Sequence, residues 1–271
     1  MTNHPDYMKT TYARGYRWLL ANLMFASFIG SMALAGEEFK EELHQTYSLT
    51  PEGQIRLDNV NGTVRIGGWD RSEVKLDAIK RARAKEDLGP VKIEIEAKPD
   101  GLTIRTKYPE RKWWNFLSHD NSTSVDYILT VPQAVRFVAV TDVNGAVEIG
   151  GVRGKVKAST VNGGLSVNGL AANADLSSVN GAIKAGFAST DAVKSVSIST
   201  VNGHVELELP ADADADLSVS TVNGTIGGDV SVRKNWPVGS EVKTRLGGGG
   251  AEIKASTVNG GVHIHLVKPA K

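Results

Sequence analysis

From residue 142 to 266, short stretches of alternating apolar and polar residues recur, each closed by the same few letters. Lys155–Gly163 reads KVKASTVNG, Asn173–Gly181 reads NADLSSVNG and Ser195–Gly203 reads SVSISTVNG. Strict alternation is the signature of a strand with one buried face. Aligning the copies gives two apolar columns. One holds Val156, Ala174, Val196, Leu217 and Ile253, and the next, two residues on, holds Ala158, Leu176, Ile198, Val219 and Ala255. A strand period of two puts both on one face. The column between them is Lys157, Asp175, Ser197, Ser218 and Lys254, which faces water. After each Asn-Gly a second strand begins, over 146–149, 164–167, 182–185, 204–209 and 261–266. Its inward column is Val147, Leu165, Ile183, Val205 and Val262.

The closing letters are Thr-Val-Asn-Gly at Thr160–Gly163, Thr200–Gly203, Thr221–Gly224 and Thr257–Gly260. Variants stand at Asn59–Gly62, Asp142–Gly145 and Ser178–Gly181. From residue 143 the Val of each copy advances by 18, 18, 22, 21 and 36 residues. A recurrence of this length marks stacked units. One unit holds too few apolar side chains to offset the entropy of ordering its backbone, so it needs neighbours above and below. Asn and Gly both tolerate positive φ. The pair therefore suits a two-residue hairpin turn, and equally a solenoid corner where Asn side chains stack. The expectation is an all-β protein, a β-solenoid of stacked strand repeats, with an antiparallel meander or sandwich as the alternative. Gly203, in a central copy, is expected at positive φ, and Gly260 in a terminal copy.

Upstream, strands are predicted over 54–58, 63–67, 73–80, 91–97, 102–107, 125–131 and 135–141, with a hairpin across Lys98-Pro99-Asp100-Gly101. RARAKEDL (81–88) reads as a helical turn or two ended by Gly89-Pro90. Residues 186–194 and 227–250 read as surface loops.

The first 35 residues form a separate pattern. Lys9, Arg14 and Arg17 precede an uncharged, mostly apolar run, Trp18–Leu34, and Ala33-Leu34-Ala35 supplies small residues at the positions a signal peptidase reads. This predicts a signal peptide over 1–35, a polar lead-in over 36–50, an N-terminal β region over 51–141 and the Val-Asn-Gly repeats over 142–271. Cleavage would leave no transmembrane segment. It would also remove three bases and one acid, turning the formal charge of +1 into −1, which gives no attraction for nucleic acid. Hydrophobic residues make up 41% of the 271, aromatics only 6%, and Cys is absent. Stability therefore rests on a thin aliphatic core without disulfides or thiolate metal sites.

The run of Thr/Ser-Val-Asn-Gly copies, Leu57-Asp58-Asn59-Val60-Asn61-Gly62 followed by Gly68-Trp69-Asp70, and Tyr127-Ile128-Leu129-Thr130-Val131-Pro132 resemble the bacterial "putative adhesin" family of cell-envelope β-repeat proteins. The resemblance spans most of 50–266. It implies an exported periplasmic or surface protein with an adhesive role, an envelope polymer or envelope protein as partner, and neither cofactor nor catalytic residues. The position after Gly, often Asp in that family, is here Ala146, Gly164, Ala182, His204, Thr225 and Gly261, so no carboxylate ligand is expected there.

Candidate chemistry is sparse. No P-loop, nucleophile elbow, zinc-protease helix or dinucleotide fingerprint occurs. His263 and His265 share a strand face, with Glu206 and Glu208 in matching columns, but spacing fixes no third neutral metal ligand, so a solvated strand face is the expectation. Asn121-Ser122-Thr123 matches a glycosylation acceptor. A polysaccharide lyase or hydrolase on a β-helix is the enzymatic alternative, and it needs carboxylates poised against one another. The outward columns offer instead a hydroxyl ladder, Ser159, Ser177, Ser199, Ser220 and Ser256. The aromatic exception is RKWWNFL. Arg111, Lys112, Trp113 and Trp114 are candidate partner contacts, or a cap over the open end of the stacked core.

Overall fold

The computed structural model describes residues 38–109, 123–230 and 240–268. Its strands are β1 (Phe39–Ser48), β2 (Gln54–Asp58), β3 (Val64–Trp69), β4 (Glu73–Ala82), β5 (Lys92–Lys98), β6 (Gly101–Lys107), β7 (Ser124–Pro132), β8 (Phe137–Asn144), β9 (Val147–Gly150), β10 (Lys155–Asn162), β11 (Leu165–Leu170), β12 (Ala174–Asn180), β13 (Ile183–Phe187), β14 (Ser195–Asn202), β15 (Val205–Pro210), β16 (Ala215–Asn223), β17 (Ile226–Gly228), β18 (Ser240–Leu246), β19 (Ala251–Asn259) and β20 (Val262–Val267).

These strands make two facing sheets. One runs β1-β4-β7-β3-β9-β11-β13-β15-β20-β17, the other β18-β16-β19-β14-β12-β10-β8-β2-β6-β5. Each coil of the solenoid gives one strand to each sheet, and like strands of successive coils pair parallel. Asn-Gly is therefore a corner between sheets, and the meander alternative does not hold. A parallel pair cannot be joined by a two-residue turn. The expected columns stand in register: Val156 faces Ala174, Ala174 faces Val196, and Val196 faces Ile253 across the ladder. Both columns and their counterparts in the second sheet are buried in one aliphatic core.

The stack does not follow chain order. β19 lies between β14 and β16, and β20 between β15 and β17. The last repeat is thus inserted beneath its predecessor, and Gly260 belongs to an interior coil while Gly224 belongs to the outermost one. At the other end β2–β3 sits between β8–β9 and the coil made by β6 and β7.

Antiparallel strands close both ends. β5 pairs with β6, β4 with β7, β1 with β4, and β18 with β16. Two expectations change here. From Phe39 on, the polar lead-in is an edge strand, its inward side half apolar with Leu43 and Tyr47 packed on the core. Within 227–250, expected as loop, Ser240–Leu246 is strand β18. It contributes a single buried apolar residue, Val242, too little to show as a periodic pattern. The predicted helical turn shrinks to a 3-10 turn, Lys85–Asp87. The connection that contains it buries Leu88 and Val91 where the chain crosses from β4 to β5.

Candidate binding face

Each corner is built from four residues with separate tasks. The Thr or Ser, two residues beyond the inward columns, points inside. Thr160, Ser178, Thr200, Thr221 and Thr257 are all buried. Its hydroxyl donates to the corner-glycine carbonyl of the neighbouring coil: Thr160 to Gly145 (3.3 Å), Ser178 to Gly163 (3.1 Å), Thr200 to Gly181 (2.9 Å), Thr257 to Gly203 (2.8 Å) and Thr221 to Gly260 (2.8 Å). A carbonyl that would otherwise lack a partner inside the corner is thereby satisfied.

The Asn residues form a continuous external ladder. Asn144 Nδ2 donates to Asn61 Oδ1 at 2.7 Å, Asn162 to Asn144 at 2.8 Å, and Asn180 to Asn162 at 2.9 Å. Asn202 donates to Asn180 at 2.8 Å, Asn259 to Asn202 at 2.8 Å, and Asn223 to Asn259 at 2.9 Å. Its order repeats the inserted order of the coils.

Gly is needed for room, and the expectation of positive φ at Gly203 is corrected. Among the corner glycines only Gly62 (φ 118°) and Gly260 (φ 149°) lie in that region. A Cβ on Gly203 would come within 2.6 Å of the Gly181 carbonyl carbon, and the same collision recurs at Gly163, Gly181 and Gly224. Successive corners are stacked carbonyl on glycine, which no side chain survives.

Val, one residue after the inward Thr, must point out. Val161, Val179, Val201, Val258 and Val222 are 39–49% exposed and occupy five consecutive coils in that spatial order. Strand spacing sets them about 4.8 Å apart. Two residues back on the same outer face runs the row Thr141, Ser159, Ser177, Ser199, Ser256 and Ser220. Three parallel rows therefore line this edge: hydroxyls, methyls and carboxamides, without a charge among them. The sequence reading passed over the methyl row, although alternation puts Val opposite in facing to the Thr before it.

Charges stand away from this edge on both sheets: Lys157 with Asp175 and Lys254 with Glu252 on this one, and the acids and bases of β13, β15 and β20 on the other. Glu206 and Glu208 stand beside His263 and His265 across the ladder, as expected. Both carboxylates turn to Lys184, at 3.4 and 2.6 Å, and both histidines are exposed. Among the described residues no group of three metal-ligating side chains converges. Arg111, Lys112, Trp113 and Trp114 lie outside the described residues, as do Asn121 and Ser122. In the chain these residues lie between β6 and β7. At the margins of that stretch the Tyr108 hydroxyl donates to the Thr123 carbonyl at 3.0 Å.

The Toastrack DUF4097 family profile matches residues 30–265. The chain belongs to the Toastrack DUF4097 family. Among solved structures, it is similar to a "putative cell adhesion protein" from Clostridium sporogenes, at 12% identity over 84% of this chain and 100% of that one, with a TM-score of 0.43. A "putative adhesin" from Bacteroides fragilis is similar at 13% identity over 84% and 97%, TM-score 0.43. A "putative lipid binding protein" from Parabacteroides distasonis is similar at 11% identity over 86% and 98%, TM-score 0.23. No curated protein matches the chain. Within this Toastrack chain, no helix among the described residues is long and apolar enough to cross a membrane.

Proposed function

We propose that this Toastrack protein is a non-catalytic, adhesin-like binding protein of the bacterial envelope, exported by cleavage after Ala35, and that it grips an envelope polymer or envelope protein through the Ser–Val–Asn edge. One observation carries the reading: a methyl ridge left exposed on five consecutive coils, where a monomeric surface usually scatters its apolar side chains. Its neighbours suit such a contact. The serines offer hydrogen bonds at the same period as the methyls, and the Asn ladder, bonded to itself, holds the rows straight and rigid. A flat periodic surface recognises a repeating partner rather than a single small molecule, since every rung presents the same groups.

The test is retention on purified cell-wall and outer-membrane fractions. Val179→Lys with Val201→Lys puts two charges in the middle of the ridge without touching the core. Retention should fall at least tenfold, while the urea midpoint stays within the range of ordinary surface substitutions. Undiminished retention of a folded double variant would reject this edge as the contact.

A further inference from the structure

The buried hydroxyl ladder has one substitution in it. Where Thr160, Ser178, Thr200, Thr257 and Thr221 each donate a hydrogen bond to a glycine carbonyl, the corner joining β8 to β9 has Asp142, in register with Thr160. Asp142 is 1% exposed. Its Oδ1 accepts the Val143 N–H at 2.8 Å, and its Oδ2 is buried with no hydrogen-bond partner. The ladder identifies the missing partner. The glycine of the neighbouring coil at this level is Gly62, and a Cβ placed on Gly145 would run into both the Gly62 carbonyl and Asp142 Oδ2. The two oxygens therefore border the same small space. A carbonyl can only accept, and so can an ionised carboxylate; a carboxylic acid can donate.

Among the described residues the Gly62 carbonyl has one other side-chain donor, Asn59, and that contact is long. Asn59 spreads its amide between the Gly62 carbonyl (3.4 Å) and the Val125 carbonyl (3.1 Å). Its Oδ1 accepts from Thr106 Oγ1 at 2.8 Å, which lies 2.8 Å from the Tyr127 hydroxyl. Every member of that buried network is neutral.

We propose that Asp142 is a proton-operated latch between the coil β2–β3, next to the end coil, and the repeat stack. Protonated, it donates Oδ2–H to the Gly62 carbonyl and completes the ladder. Ionised, it sets a buried carboxylate against that carbonyl, and the junction loosens.

The surroundings agree with a proton held near neutral pH. Burial pushes the Asp142 carboxyl up to about 6, and the backbone N–H groups of Val143 and Asn144 pull the other way without restoring the usual range. From the start of the β6–β7 connection, the Tyr108 phenol faces it, itself pushed up to about 12 chiefly by burial, and so neutral throughout. On β10 the facing group is the Thr160 hydroxyl. On β2 and β6, Asp58 and Arg105 are half-buried on the outer face and pair with each other at 3.6 Å. No cation among them compensates Asp142. The sign follows from linkage: between about pH 4 and 6 the folded chain keeps a proton that the unfolded chain has released, so this group's contribution is complete at the acid end and lost as pH rises through 6.

The experiment is urea unfolding of the full chain from pH 4.5 to 7.5, comparing wild type with Asp142→Thr, which restores the ladder's usual donor, and Asp142→Asn, whose amide can donate at any pH. The ratio of the wild-type unfolding constant to that of Asp142→Thr should rise with pH by up to about tenfold per unit below 6 and level off above it. Asp142→Asn should track Asp142→Thr. A ratio that stays flat overturns the latch. Hydrogen exchange reads the junction itself, since Gly62 N–H donates to Asn144 at 3.1 Å and Asn144 N–H to Val60 at 2.7 Å. Protection of these two amides should fall between about pH 4.5 and 6 in wild type, level off above that, and hold throughout in Asp142→Thr; equal behaviour of the two proteins counts against the proposal. If neither variant folds, the carboxyl-carbon shift of Asp142 in labelled wild type decides it: a midpoint near 6 upholds the latch and one near 4 overturns it.

Discussion

At one edge of the solenoid every coil turns through the same four letters. At the other, the chain returns through 151–154, 171–173, 188–194 and 211–214, segments that vary in length and share no sequence. The irregular repeat spacing arises at this second edge. Its loops run over the surface, where extra residues cost little. The first edge has no such freedom, because each corner is the floor for the next. Carbonyl rests on glycine, hydroxyl bonds to carbonyl, amide bonds to amide, and each contact joins one coil to another. Sequence constancy along this repeat thus marks where coils touch, and variation marks where they do not.

The largest expected effect comes from filling the tight edge. Gly203→Val should cost about 3 kcal/mol, since a branched side chain must displace the Gly181 backbone. Gly224→Val, in the outermost coil, should cost less, although both glycines are equally crowded, because only one neighbouring coil is disturbed. Urea denaturation of both variants checks the order. Next comes Thr200→Val, which keeps the shape but removes the donor to the Gly181 carbonyl; about 1–2 kcal/mol should be lost. Asn180→Ala removes two rungs of an exposed ladder and should cost about 1 kcal/mol. Smallest is a change at the loose edge: two glycines inserted in 188–194 should lower stability by less than about 0.5 kcal/mol, whereas the same insertion after Asn202 should prevent the corner from stacking. If the two insertions were equally tolerated, the contrast between the edges would be lost.

Much of this was legible in the sequence, for a physical reason. Alternation reports burial directly, so the inward columns, the hydroxyl row and nearly every strand could be read before the fold was known. What Asn-Gly does could not be read, because hairpin and corner demand similar local conformations and differ only in which strand comes next to which. Chain order also hid the insertion of the last repeat: the advance of 36 residues conceals β18, whose outward Glu241, Lys243 and Arg245 dilute the one buried residue it supplies. Glycine was read as a conformational need when it is a spatial one, since close approach of a second backbone leaves no trace in a single sequence. Asp142 stood in the motif from the start. Its meaning depends on Gly62, eighty positions upstream in round terms, and only the stack brings the two together.

The order of that stack can be tested without reference to stability. The chain has no cysteine, and Ser199, Ser256 and Ser220 are exposed and lie on three neighbouring rungs in that order. Directly neighbouring rungs stand about 4.8 Å apart, within disulfide reach, and alternate rungs about twice that, beyond it. The account predicts that Ser199→Cys with Ser256→Cys forms an intramolecular disulfide on mild oxidation, and that Ser199→Cys with Ser220→Cys does not. Ready closure of the second pair and failure of the first would mean that the repeats stack in chain order, and would contradict the inserted coil on which this description of the fold rests.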